Sequence, residues 1–430
     1  MTGDIDYAEL ASQFGTPLFV YDGDTLTAAI SGLRRALHPG LEVFYSLKSN
    51  PNISVFATLR AGGARAEVSS LTELRTAIAA GAEPRDIIFL GPGKSDEELR
   101  ACVEHGIYAI VCESFDELSR IERYAAGLRT VQRVLLRINP ACAVSGSRLT
   151  MGGKPRQFGI DEEKVLAAAD LFRRCRHADV AGVHVYMGTR ILEADVIAKN
   201  TDYALRLAER VQDATGIRLD AVDIGGGLGV AYFDGEADLD IAEVARQVNP
   251  LISNFAAAHP GTRLIMESGR YLTAPAGVYL ISVRYVKESR GEWFAIADGG
   301  TNHHMAAVGI GSFVKRNFPV ALLGRPSANA DASADEDEVR PWTITGPLCT
   351  PNDTVAKHIS LPALRPGDLL GVLRSGAYGP SASPGLFLSH GFPAEVLVRG
   401  GHAVLIRCRD EPGDLLRPQH LSPVVSTANR

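Results

Sequence analysis

Apolar residues fall into short runs that recur at a regular interval along the first two thirds of the chain. Between residues 41 and 267 eight such runs occur, at 43–47, 64–68, 87–90, 108–112, 134–138, 180–186, 219–224 and 264–266. They are rich in β-branched, leucine and aromatic residues and lack strict alternation, as a strand buried on both faces requires. Most neighbours are separated by a segment with helical spacing, such as 71–80 and 194–214. Strand and helix in alternation, eight times over, predict an α/β fold of the (β/α)8 TIM-barrel type, closed by right-handed crossovers. Past residue 277 the texture changes to β-type alternation, as at 278–286, 293–297 and 395–399, among many glycines and prolines. A second, all-β domain is expected there, joined from the other side by the short run 18–20. The predicted organisation is a barrel over 31–277 and a β-rich domain built from 1–30 and 278–430.

Composition narrows the function classes. A 46% hydrophobic and 22% charged chain of 430 residues is that of a soluble globular protein, large enough for two cores. The net charge of −6, with no basic tract, leaves no footprint for nucleic acid. The first residues are acidic and no apolar stretch approaches 18 residues, so neither a signal peptide nor a membrane span is expected and a cytoplasmic location is. Six cysteines are scattered without a C-x-x-C pair, which fits reduced thiols and excludes a zinc ribbon. The stretch 327–338 is acidic, small and aperiodic, and is expected to be a mobile surface loop.

The barrel prediction gives meaning to particular residues, because that fold carries its chemistry at the C-terminal ends of the strands. Lys48 sits there, after the run 43–47 and before Asn50-Pro51. Burial at such a place lowers a lysine pKa, and a neutral amine forms a Schiff base with an aldehyde; the alternative is a snorkelling strand-end lysine. Asp223-Ile-Gly-Gly-Gly-Leu-Gly-Val230 follows a strand, and Gly225, Gly226 and Gly227 leave backbone amides free to close on a phosphate, or else form only a tight turn. Glu267-Ser-Gly-Arg270 ends the eighth run, where a carboxylate can pair with a pyridine nitrogen or simply with Arg270. His184 ends the sixth run and is placed either to stack on a ring or to serve as an ordinary satisfied polar residue. Gly91-Pro-Gly-Lys-Ser95 mimics a P-loop ending, but Ile88 stands at the first glycine position, which rejects it. His303-His304 has no third ligand at sensible spacing, so no metal is assigned. Cys349, between Leu348 and Thr350 in Gly346-Pro-Leu-Cys-Thr-Pro-Asn-Asp353, is presented by a rigid loop unless it is merely a small buried hydrophobe.

Together these peptides resemble, in order and over nearly the whole chain, the fold-type III pyridoxal-phosphate decarboxylases, the ornithine and diaminopimelate decarboxylase family. Tyr45-Ser-Leu-Lys-Ser-Asn50 is similar to the family's lysine motif, which implies that Lys48 is the Schiff-base lysine. The resemblance further implies pyridoxal 5′-phosphate as cofactor, held by Glu67 and Arg137 near the ring, His184 on its face, and Glu267 at its nitrogen. Gly225, Gly226, Gly227, Arg270 and Tyr378 of Gly376-Ala-Tyr378 would hold the phosphate, with Cys349 as the catalytic thiol. Gln157-Phe-Gly-Ile160 matches another family peptide. A homodimer with shared active sites is also implied, the cysteine loop of one subunit completing the site of the other.

Departures from the family bear on substrate. His184 is followed by Val185-Tyr-Met-Gly-Thr-Arg190, two residues longer than usual, so that Thr189 takes the place of a phosphate-binding serine. After the cysteine, where the family carries Asp or Glu for a distal amine, stands neutral Thr350. The Arg-Pro-x-x-Tyr segment that diaminopimelate decarboxylases carry for the second carboxylate is replaced by Asp298-Gly-Gly-Thr-Asn-His-His-Met-Ala306, and Asp298, Thr350 and Asp353 are the substrate-facing candidates. These variants resemble a subgroup from secondary-metabolite and polysaccharide gene clusters that includes a butirosin-pathway enzyme acting on glutamate held on an acyl carrier protein. The expected activity is decarboxylation of an amino acid or aminoacyl substrate, free or tethered to a carrier protein. Diaminopimelate decarboxylation, amino-acid racemisation and a catalytically silent regulatory role are the alternatives.

Overall fold

The computed structural model describes residues 5–141, 155–308, 316–325 and 338–422, so most of the acidic stretch 327–338 lies outside the described residues. The chain divides into two compact units, one of residues 25–231 and 235–274, the other of residues up to 24, 232–234 and from 275 onward.

The first unit is a closed parallel barrel. Its strands are β1 (Leu41–Ser46), β2 (Arg65–Val68), β3 (Ile87–Phe89), β4 (Ala109–Cys112), β5 (Gln132–Asn139), β6 (Ala178–Val185), β7 (Ala221–Asp223) and β8 (Arg263–Ser268). Each pairs in parallel with its neighbours, and β8 returns to β1 with Glu267 opposite Phe44 and Ser268 opposite Tyr45. Every one of the eight runs read from the apolar pattern is a barrel strand. Phe44, Ile88, Leu90, Ala109, Val111, Leu135, Ala221 and Ile265 fill the interior, so the barrel is a packed core and not a pore.

Short polar residues turn strand into helix at the mouth of the barrel. Asn52 caps Ile53–Ala61, Ser70 caps Leu71–Ala79, Ser114 caps Phe115–Gly127 and Asp240 caps Ile241–Ala258, while Ser95 and Glu98 form a full capping box on Asp96–His105. Each accepts backbone N–H groups that the first helical turn cannot satisfy, at about 1 kcal/mol apiece. The predicted helix at 194–214 is Ala194–Thr215, ended by left-handed Gly216.

The second unit is a mostly antiparallel sheet. Leu18–Asp22, buried along its whole length, lies between Gly277–Ser289 and Ala394–Arg399, pairing antiparallel with the first and parallel with the second. The early run 18–20 is thus a central strand of the β-rich unit. Leu18, Val20, Val278, Leu280, Ala394 and Val396 form its core. Outward from Gly277–Ser289 the order continues through Glu292–Ala297, Val339–Thr345 and Thr354–Pro362. Among the described residues no helix is long and apolar enough to cross a membrane.

Candidate active site

β1 hands the chain to a single 3-10 turn, Leu47–Ser49, whose geometry is fixed from beneath. The Asn50 N–H donates to the Leu47 carbonyl at 2.9 Å, the Tyr45 hydroxyl to the Asn50 carbonyl at 2.8 Å, and the Ser49 hydroxyl to the Ser46 carbonyl at 2.9 Å. Leu47 and Ser49 are buried, which leaves Lys48 projecting. Its side chain is 41% exposed, so the expected burial is corrected: the ammonium lies at the open mouth, 3.1 Å from each oxygen of the fully buried Glu67 carboxylate. The Ser69 hydroxyl donates to the same carboxylate at 3.0 Å.

Across the barrel mouth, β6 and β8 bring His184 and Glu267 together. The imidazole Nε2 is 2.9 Å from Glu267 Oε1, and both side chains are buried. Burial by itself pushes the Glu267 carboxyl up, but His184, with Lys48 and Arg137 farther off, outweighs it and holds the group low. Asp223 ends β7 directly opposite His184, and His184, Asp223 and Glu267 each place a polar atom within 4.8 Å of the other two. Complete burial, then the charge of Glu267, pushes the Asp223 carboxyl well above its ordinary range.

The three glycines pass between these strand ends because nothing larger fits. A Cβ on Gly226 would run into the Glu267 carbonyl, one on Gly225 into that of Val185, and one on Gly227 into that of Gly188. Gly225 and Gly227 also have φ of 69° and 101°, the region glycine enters without penalty. Asp223 Oδ1 accepts the Gly225 N–H at 2.9 Å, and Gly225 O accepts the Glu267 N–H at 2.8 Å, locking the loop to β7 and β8. The longer segment after His184 closes on it from the other side, since the Ile191 N–H donates to the Gly227 carbonyl at 2.8 Å. Half-buried Thr189 therefore stands beside the glycine loop. Arg270 opens the short helix Arg270–Thr273, three residues past Glu267. Between them a Cβ on Gly269 would sit 2.9 Å from Ser49, so this glycine lets β8 close against the lysine turn.

Arg137 on β5 donates from Nη1 to Glu113 Oε1 at 2.9 Å and lies over the Phe158 ring at 4.7 Å. Glu113, which follows β4, also accepts the N–H groups of Gly91 and Gly159. Lys94, of the rejected P-loop peptide, spends its donors on the carbonyls of Gly91 and Val111 and on Glu117, all within 2.8 Å, so its ammonium is part of the frame. Glu113 and Asp223 were not among the sequence candidates, although each directly follows or ends an apolar run, the signal that singled out Lys48.

The β-rich unit carries the remaining candidates. Cys349 is exposed on its loop. That loop is organised by Asp353, whose buried carboxylate accepts from the N–H groups of Leu348 at 2.8 Å and Thr301 at 2.7 Å, and from the Thr301 hydroxyl at 2.8 Å. Asp298 is buried likewise, accepting from the Thr16 hydroxyl at 2.6 Å and the Ser282 N–H at 2.9 Å. Both aspartates expected to face substrate are thus engaged as internal struts. Thr350 is half-buried, and its hydroxyl accepts the Asn352 N–H at 3.4 Å.

The two histidines are struts as well. His303 lies between the Tyr279 hydroxyl at 3.1 Å and the Gly391 carbonyl at 3.0 Å, and burial pushes its imidazole down to about 4. His304 Nε2 is 2.9 Å from the Ser375 hydroxyl, which donates in turn to the Val372 carbonyl at 2.7 Å. This fixes the turn leading to Tyr378, itself half-buried with a left-handed φ of 55°. A strained backbone held by such a network marks a position kept for its geometry.

The chain is similar to known proteins over nearly its whole length. Residues 24–274 match the family model described as pyridoxal-dependent decarboxylase, pyridoxal binding domain. The chain is 40% identical over 420 residues, 97% of each sequence, to the L-glutamyl-[BtrI acyl-carrier protein] decarboxylase of Niallia circulans. It is 31% identical over 432 residues, 98% of this chain and 95% of the other, to the diaminopimelate decarboxylase of Methanothermobacter thermautotrophicus. Among solved structures, the diaminopimelate decarboxylase of Helicobacter pylori complexed with L-lysine superposes with a TM-score of 0.84 at 27% identity, covering 96% of this chain and 98% of that one.

Proposed function

Because the chain belongs to the pyridoxal-dependent decarboxylase family, and so is a decarboxylase that uses pyridoxal 5′-phosphate, we propose that its substrate is an amino acid tethered to an acyl carrier protein in secondary metabolism. One observation carries the choice over a free diamino acid. At the cysteine loop the residue next to Cys349 is neutral Thr350, and the nearest carboxylate in sequence, Asp353, is buried and already accepts three hydrogen bonds. A distal ammonium would be left without a counter-charge, at a cost of several-fold to orders of magnitude in affinity, whereas a neutral thioester needs none. The similarity to a glutamyl-carrier decarboxylase over 97% of the chain supports the same reading.

The residues present fit the cofactor. Among the described residues His184 Nδ1, Asp223 Oδ2 and Ser268 Oγ are buried polar atoms without a hydrogen-bond partner, and the glycine loop beside them is bare backbone. Lys48 would hold the aldehyde, Glu267 the ring nitrogen and His184 the ring face, with Glu67 and Arg137 alongside. Gly225, Gly226, Gly227, Thr189, Arg270 and Tyr378 would hold the phosphate. When bound, pyridoxal phosphate supplies an electron sink for the bond that loses carbon dioxide. Glu267, held ionised, would keep a proton on the ring nitrogen; Cys349 would deliver the proton that replaces the lost carboxylate; and Lys48 would give up the aldehyde to the substrate amine and take it back to release product. The active form is a homodimer in which the cysteine loop of one copy completes the site of the other.

The test is to follow carbon dioxide release from the holoenzyme given glutamyl carrier protein, free glutamate, ornithine or meso-diaminopimelate. Release from the carrier-bound substrate, at least about a hundredfold faster than from the free amino acids, is expected. Preference for diaminopimelate would replace the proposal with the diaminopimelate decarboxylase reading, and loss of optical rotation without gas release would mark a racemase.

A further inference from the structure

The site contains one more acid than its assigned chemistry uses. Asp223 ends β7 beside His184 on β6 and faces Glu267 on β8, with polar atoms of all three within 4.8 Å of one another. It is fully buried. Its Oδ1 accepts the Gly225 N–H at 2.9 Å, while among the described residues Oδ2 has no hydrogen-bond partner at all. Two carboxylates so close in a medium of low dielectric cannot both hold a charge, and the pair settles with one proton between them. The surroundings decide which acid keeps it. Glu267 has His184 at 2.9 Å, whereas Asp223 has one backbone N–H and the like charges of Glu267 and Glu67, offset only in part by Lys48.

We propose that Asp223 is a positioning residue that stays protonated in the folded enzyme, so that the buried acid pair carries a single negative charge and that charge sits on Glu267. The carboxyl then has two tasks. Through Oδ1 it anchors the first amide of the glycine loop, and through its neutrality it leaves Glu267 as the one ionised acid available to the ring nitrogen. Were the charges exchanged, Glu267 would be neutral and could not hold a proton on that nitrogen. The second task rests on the role proposed for Glu267, whereas the protonation of Asp223 does not.

D223N separates the two tasks, because asparagine keeps the Oδ1 acceptor and is neutral at every pH. D223A removes both. The expected outcome is that D223A loses about tenfold or more in cofactor affinity relative to D223N, which keeps the acceptor for the glycine loop. A readout independent of turnover is the infrared band of protonated aspartic acid in full-length protein labelled with 13C at aspartate. The band should be present at neutral pH in the parent and smaller by one carboxyl in D223N. Loss of more than about a hundredfold in D223N turnover with cofactor bound, or no change in the band, would overturn the proposal. If D223N does not fold, the same band is compared between the parent and D223A, where loss of one carboxyl supports the proposal and an unchanged band overturns it. The infrared result reads Asp223 whatever Glu267 does, so failure of one reading is distinguishable from failure of the other.

Discussion

Among the described residues Cys349 differs from the other chemical candidates in having no side-chain hydrogen bond of its own. Lys48 is paired with Glu67, and Glu267 with His184, whereas the thiol is exposed and the struts beneath it belong to Asp353 and Thr301. Its removal should therefore disturb chemistry without disturbing the cofactor. C349A is expected to bind pyridoxal phosphate with an unchanged absorbance spectrum while kcat falls by about 10² to 10⁴, the usual worth of a positioned general acid. Unimpaired turnover would pass the proton donation to another group. At this scale the sequence was most legible where a candidate residue directly follows an apolar run, as Lys48 and Glu267 do. It was least legible for carboxylates, because the burial and partners that decide their roles come from other strands. Asp298 and Asp353 read as substrate-facing yet accept from threonine hydroxyls and backbone N–H groups, and Glu113 and Asp223 read as nothing in particular yet lie within the frame of the site.

The segment after β2 shows an element setting the position of a side chain. Ser70 caps helix Leu71–Ala79 by accepting the Glu73 N–H, and Glu73 reaches back to accept the Ser69 N–H at 2.7 Å. Ser69 in turn donates its hydroxyl to Glu67, the partner of Lys48. The helix was expected over 71–80, but that its cap reaches Glu67 was not, since the hydrogen bonds linking Glu73, Ser69 and Glu67 exist only in the fold. Burial, with the charge of Glu67 adding to it, pushes the Glu73 carboxyl up to about 7. The sign follows directly. An unfolded chain ionises Glu73 near its ordinary value of 4.5, whereas the folded chain keeps the proton until about 7. This group therefore favours folding at acid pH, and its contribution is lost as pH rises through that window. Glutamine keeps the acceptor for Ser69 and does not titrate. Between pH 5 and pH 8, denaturant unfolding should show E73Q gaining about 1–2 kcal/mol on the parent. A constant difference across that range would show that Glu73 titrates normally.

The architecture of the whole chain was read more fully than its boundaries. Eight apolar runs announce eight barrel strands because strands buried on both faces tolerate little else. In the β-rich unit the pattern is weaker, and strands such as Thr354–Pro362 are interrupted by exposed Lys357 and by His358 with a φ of 53°, which breaks the alternation. Lys48 lies in one compact unit and Cys349 in the other. If the active form is a twofold dimer with each site drawing its lysine from one copy and its cysteine from the other, two inactive variants must restore each other. In a mixed dimer of K48A and C349A, one site inherits both substitutions and the other neither. Random re-pairing makes half of the dimers mixed, each with one intact site of two, so activity should recover to about a quarter of the parent. Equal amounts of the two variants, dissociated in dilute denaturant and reassociated, provide the measurement, with carbon dioxide release as readout. Recovery near that fraction supports sites shared between subunits. No recovery, in a mixture whose mixed dimers are verified by differential tagging, would confine each site to a single chain.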